Sequence, residues 1–282
     1  MRWRKGRRSS NIEDRRGMGL PMKAIGGGIG GLIVLVMALL LGADPGAVFN
    51  NMPATTTTGV NPAPLSEEDK ELGDFVSVVL ADTEDTWNEI FAAYNRDYRE
   101  PTLVLFSGAV ESSCGFAQSA IGPFYCPIDE KVYIDLSFYR DLKERFNAPG
   151  DFAEAYVIAH EVGHHVQNQL GIMEQVQGAQ QRLGGVDANR LSVMLELQAD
   201  CFAGVWAHNA DRANILEQGD IEEGLNAASS IGDDRLQMES QGTVTPDSFT
   251  HGSSAQRVSW FQKGLESGDV NSCNTFDDAA NL

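Results

Sequence analysis

Basic residues, cysteines and histidines are scarce in this chain of 282 residues: 21 Lys plus Arg stand against 40 Asp plus Glu, with four Cys and five His. The formal charge of −19 at pH 7 has the wrong sign for a protein that must neutralise phosphates, so no nucleic-acid partner is expected. No two cysteines stand at the C-x-x-C spacing of cysteine metal sites or thioredoxin-like redox centres. Only one uncharged run is long enough to cross a bilayer, which excludes a bundle of membrane helices and an intramembrane active site. No repeat of solenoid length is visible. With 42% hydrophobic and 22% charged residues, the chain is apolar enough to bury a core and too apolar for disorder.

The few basic groups are unevenly placed. Residues 1–23 hold eight of them against Glu13 and Asp14, leaving 13 basic and 38 acidic groups beyond. From Ala24 to Ala43 there is no charge, and IVLVMALLL forms the most apolar part. A helix of that length spans roughly 30 Å, the hydrocarbon thickness of a bilayer. This is the expected transmembrane anchor, a single pass whose basic head stays in the cytoplasm and whose body lies in the periplasm or outside the cell. The alternative is a cleaved signal peptide, against which stand the length of the run and the lack of an A-x-A site. Residues 44–65, rich in Pro, Thr, Gly, Asn and Ala, are the expected flexible linker, and 66–282 the single folded domain.

All four cysteines, Cys114, Cys126, Cys201 and Cys273, lie beyond the anchor, as export predicts. Four cysteines permit three pairings. Cys114 with Cys126 is favoured because a bridge would staple the Gly/Pro-containing excursion between them, and Cys201 with Cys273 follows by elimination. Ser66 followed by three acids starts a helix expected over about 67–95, and apolar spacing predicts others over about 151–170 and 188–209. Two more are expected from about Ile221 and Ser254. Residues 101–106 and 131–136 are short and β-rich. The fold class is therefore α+β, mainly helical with a small β-sheet.

HEVGHH, residues 160–165, lies within the predicted 151–170 helix. His160 and His164 are four apart, about 40° around the helix axis, so both reach one cation. Glu161 is set roughly 100° around, placed to address a water without ligating. His165 falls outside this geometry and is expected beyond the ligand shell or at the surface. A catalytic zinc takes three protein ligands and keeps a position for water, so a third ligand is needed. In LELQADCFAG, Glu196 and Asp200 are four apart on a second, otherwise apolar helix. Two acids there want a positive partner: Glu196 as the third ligand for Zn2+, Asp200 as acceptor of a liganding histidine's free ring N–H.

HEVGHH followed by ELQAD resembles the gluzincin metallopeptidases whose third ligand lies in a Glu-x-x-x-Asp helix, as in CAAX-processing membrane proteases. The whole layout is similar to the bacterial neutral zinc metallopeptidase family: basic start, single anchor, CGFAQSAIGPFYCP, KVYIDLSFY, HEVGHHVQ, ELQADCFAG and THGSSAQRVSWF. The resemblance implies a zincin-like peptidase domain. His251 and Arg257 have the spacing of a His and Arg in the CAAX-type proteases, which implies that they face the cleft and donate hydrogen bonds to the oxyanion or substrate backbone. Gly252 stands where those relatives carry proline.

The expected activity is hydrolysis of peptide bonds in extracytoplasmic proteins or peptides, with Glu161 as general base. Strand 131–136 is a candidate edge for an extended substrate. The alternative is a catalytically silent, zinc-stabilised envelope binding or chaperone-like protein, which would close the site with a fourth ligand. A 2-His-1-carboxylate iron site uses the same ligand types and leaves Glu161 unexplained.

Overall fold

Ser66 starts the first long helix with a reciprocal cap, its hydroxyl accepting from the Asp69 N–H while the Asp69 carboxylate accepts from the Ser66 N–H. In the computed structural model, which describes residues 1–17 and 65–276, this helix, α1, runs over Glu67–Ala93. The expected anchor at 24–43 and all but the last residue of the linker at 44–65 lie outside the described residues. Among the described residues, no helix is long and apolar enough to cross a membrane.

The run TLVLF becomes β2 (Thr102–Phe106) and pairs in parallel with β6 (Lys131–Asp135), while β5 (Phe124–Cys126) pairs antiparallel to β6. Alternation in β2 serves two layers: Leu103 and Leu105 enter the main helical core, whereas Val104 and Phe106 pack beneath the hairpin of β3 (Ala109–Ser112) and β4 (Gly115–Gln118). A strand buried on both faces needs such an unbroken apolar run. With β1 (Ile12–Asp14) the order is β1-β2-β6-β5, so β6, expected as a substrate edge, is interior. Its hydrogen-bonding groups are taken by β2 and β5, and the edge on that side is β5.

The basic head is not a separate segment. Residues 1–16 form one unit with 65–276. β1 pairs in parallel with β2, Met1 and Trp3 are buried, and Trp3 meets Phe75 edge-on with ring centroids 5.4 Å apart. The arginines that suggested a cytoplasmic head bind acids of the body: Arg4 to Glu71 at 2.6 Å, Arg7 to Glu84 at 2.9 Å and Arg8 to Asp74 at 2.6 Å. Segments packed into one unit lie on one side of any membrane, so a head inside and a body outside are incompatible with this packing. The apolar residues spaced between the arginines are the reason it folds back.

The helical layer comprises α2 (Ser137–Glu144), α3 (Asp151–Gln169), α4 (Ile172–Leu183), α5 (Gly185–Arg212), α6 (Asp220–Ser230), α7 (Asp233–Gln241) and α8 (Ser254–Ser267) among the described residues. α3 is buried along almost its whole length from Phe152 to Gln167. α5 lies against both α3 and α8. At the α5–α8 crossing a Cβ on Gly264 would stand 1.9 Å from the Cys201 carbonyl oxygen, so only glycine permits this approach. The crossing draws Arg257 of α8 down to the α3–α5 interface, and the Cys201–Cys273 disulfide ties the chain beyond α8 to α5. Cys114–Cys126 joins the β3–β4 hairpin to β5. Both pairings are those expected.

Candidate metal centre

One full helical turn puts His160 and His164 on the same face of α3, their rings 4.8 Å apart and nearly perpendicular. Across from them on α5, Glu196 receives both: His160 Nε2 is 3.1 Å from Oε2 and His164 Nε2 is 3.4 Å from Oε1. One ligand atom from each residue lies within 4.8 Å of the other two.

The far side of each ring is committed to another bond. His160 Nδ1 is 2.9 Å from Asp200 Oδ1, and His164 Nδ1 is 2.8 Å from Gln167 Oε1. Both acceptors require the proton on Nδ1, which leaves the Nε2 lone pairs of the neutral rings directed at Glu196. Two nitrogens and a carboxylate converging in this way fit a divalent cation, and His2Glu is a donor set of catalytic zinc. The charges agree. Burial pulls the His160 imidazole down, but Asp200 and Glu196 outweigh it and hold it up at about 10. Burial likewise opposes the charge of Glu196, yet the His164 and His160 imidazoles keep it well below the usual carboxylate range. A field that draws protons onto both rings also favours a cation between them.

Glu161, on the next residue of α3, is 7% exposed and opens into the same cleft without joining the ligand cluster. Burial pushes its carboxyl up, against the pull of His164 and His160. The cleft, about 510 Å³, is walled by β5 and the turn before it, by α2 and by His251. Asp135 holds that turn, accepting from Ser119 Oγ and from the Gly108 N–H at 2.7 Å.

Asp200 lies behind His160, where it was expected, and Arg257 lines the cleft with its guanidinium turned onto Asp200. It is 2% exposed, giving Nε to Asp200 Oδ2 at 2.8 Å and Nη2 to Oδ1 at 2.9 Å. The Tyr156 hydroxyl donates to the same carboxylate. Arg257 outweighs the burial of Asp200 and keeps its carboxyl down at about 2. The same Asp200 Oδ1 is thus shared between Arg257 and His160. His251 does reach the cleft, half-exposed, with Nδ1 3.3 Å from Asp233 Oδ1. Asp233 also accepts the backbone N–H groups of Thr250, His251 and Gly252 at 2.7, 2.7 and 3.1 Å. Gly252 has φ +91°, which proline cannot adopt, so this turn departs from the Pro-containing segment of the CAAX-type proteases.

His165 turns away from the cluster, fully buried, with Nδ1 3.1 Å from the Tyr125 hydroxyl and Nε2 on the Arg99 carbonyl. His208 bonds the Leu265 carbonyl. Sequence reasoning missed Tyr156, Asp233 and a glutamine relay in which Gln167 Nε2 donates to Gln198 Oε1 at 3.1 Å and to the Leu195 carbonyl at 2.7 Å. Gln167 was findable, being three residues beyond His164 on one helix. The others depend on tertiary approach.

The family described as "Putative neutral zinc metallopeptidase" matches residues 1–276. The "Uncharacterized protein YpfJ" of Escherichia coli (strain K12) is 50% identical over 285 residues, 98% of this chain and 99% of that one. The "Uncharacterized protein Rv2575" of Mycobacterium tuberculosis (strain H37Rv) is 42% identical over 257 residues, 86% of each chain. No solved structure matches the chain.

Proposed function

Because the chain belongs to the neutral zinc metallopeptidase family, we propose that it hydrolyses peptide bonds of proteins or peptides outside the cytoplasm. The observation that carries this reading is the convergence of His160, His164 and Glu196 in an open cleft, with Glu161 beside them and free of the ligand cluster. When bound, zinc supplies Lewis-acid polarisation of the scissile carbonyl and acidifies water towards neutrality. Glu161 takes a proton from the attacking water and passes it to the leaving amine. His251, braced by Asp233, donates to the carbonyl oxygen as it gains charge. Asp200, Arg257 and Tyr156 hold His160 in one tautomer, and Gln167 does the same for His164. An extended substrate pairs with the edge of β5, whose residues Phe124 and Tyr125 line the cleft.

A silent, zinc-stapled binding protein needs a fourth ligand, and among the described residues the cluster holds three. The two disulfides support a location outside the reducing cytosol. In this reading the apolar run 24–43 attaches the protein to a membrane.

The test measures metal content and peptidase activity together. The parent should hold one zinc per chain and cleave an unstructured protein substrate, and Glu161→Gln should keep the zinc and lose cleavage. Full activity in Glu161→Gln, or no zinc in the folded parent, would overturn the reading.

A further inference from the structure

On the opposite side of α3 from the cleft, the helices α1, α4 and α5 enclose a second cavity of about 730 Å³, closed at one end by the segment after α8. Its size is that of a small-molecule site. The deep walls are apolar and well buried: Trp87 and Phe91 of α1, Val166 of α3, Val176 of α4 and Phe202 of α5. Trp87 stands edge-on to both Phe91 and Phe202, with centroids 6.3 and 5.5 Å away. Water would fill such a space poorly, because it finds few partners there.

Gln175 of α4 and Gln198 of α5 interrupt the apolar lining. At the exposed end stand Tyr94, Arg96 and Asn271, with the Asn271 amide bonded to the Tyr94 hydroxyl at 2.7 Å. The Arg96 guanidinium is exposed and makes no ion pair among the described residues, lying 5.9 Å from the Phe91 ring centroid. In a chain with twice as many acids as bases, an arginine without a carboxylate partner at the mouth of an apolar cavity selects for a negative head.

We propose that this cavity binds a single-chain anionic amphiphile of the long-chain fatty-acid class, its alkyl chain between α1, α4 and α5 and its carboxylate at Arg96. The chain buries apolar surface that the lining already offers. The head gains a charge-assisted, fork-shaped contact with the guanidinium. A peptide segment fits less well, because the side-chain amides of Gln175 and Gln198 are too few to satisfy an N–H and a C=O from every buried residue.

The experiment titrates the full chain with 9,10-dibromostearate below its micelle concentration and follows quenching of tryptophan fluorescence. Saturation at one molecule per chain is expected, with the signal lost in Trp87→Phe and displaced by unbrominated palmitate. Ala179→Phe fills the α4 wall and should abolish binding. Arg96→Glu, a surface change that leaves the core intact, should weaken the carboxylate by about tenfold while leaving hexadecanol unaffected. Several results would overturn the assignment: no saturable quenching in the folded parent, quenching unchanged by Ala179→Phe, or an equal loss for acid and alcohol in Arg96→Glu.

Discussion

Arg257 and Asp200 meet as a buried two-point ion pair, the guanidinium Nε and Nη2 on the two carboxylate oxygens at 2.8 and 2.9 Å. The pair is placed by the close α5–α8 crossing, and one of the same carboxylate oxygens lies 2.9 Å from His160 Nδ1. Fold stability and ligand orientation therefore share one group. Arg257→Ala leaves a buried carboxylate without its cation, a change that costs about 3–5 kcal/mol when such pairs are broken. It should also weaken metal retention by roughly 10–100-fold, as loss of a carboxylate–histidine bond does. Urea unfolding and zinc competition with a chelator measure the two effects separately. Zinc affinity equal to the parent would show that Asp200 does not act through His160.

Glu161 and Glu196 should separate chemistry from binding. Glu161→Gln is expected to retain zinc and lose about 10²–10⁴ in turnover, the usual worth of a positioned base. Glu196→Ala removes one of three ligands and should lose zinc on dialysis together with activity. Elemental analysis beside a cleavage assay distinguishes them, and identical metal loss in both variants would make Glu161 a ligand rather than a base.

Much of this centre was legible from helical spacing alone, because two residues on consecutive turns of one helix have a fixed relation. That logic found His160, His164 and Glu161, and it found Glu196 and Asp200 as acids four apart on an apolar helix. It did not give the pairing of Arg257 with Asp200, since nothing local says whether an arginine faces solvent, substrate or a buried carboxylate. That outcome is decided by Gly264 and the helix approach it permits. It failed for the head as well. A run of arginines beside an apolar segment is the pattern of a membrane-flanking sequence, but Trp3 and Ile12 between those arginines carry the contrary information, which shows only once the partner surface on α1 and β2 exists.

Trp3 provides the test of that head. It is 8% exposed and packed on Phe75, so Trp3→Ala should destabilise the body by about 3–5 kcal/mol despite lying far from the centre in sequence. Zinc content per folded chain should be unchanged. A thermal midpoint equal to that of the parent would mean that residues 1–16 are dispensable to the folded unit.

Glu154 gives a pH dependence of definite sign. Burial, with Asp151 and Glu223 beside it, raises its carboxyl from 4.5 to about 8, so the folded protein keeps a proton at neutral pH that the unfolded chain releases. Between those two values the folded state binds more protons, and stability falls as pH rises, by up to about 1.4 kcal/mol per pH unit from this group. The contribution is fully favourable only below about 4.5 and its cost is complete above about 8. Glu154→Gln keeps the shape and removes the titration. The variant should therefore match the parent near pH 5 and exceed it by roughly 3 kcal/mol near pH 7.5, read as the difference between urea midpoints at the two values. Parent and variant curves that run parallel across this range would mean that Glu154 ionises in the folded protein as it does in the unfolded chain.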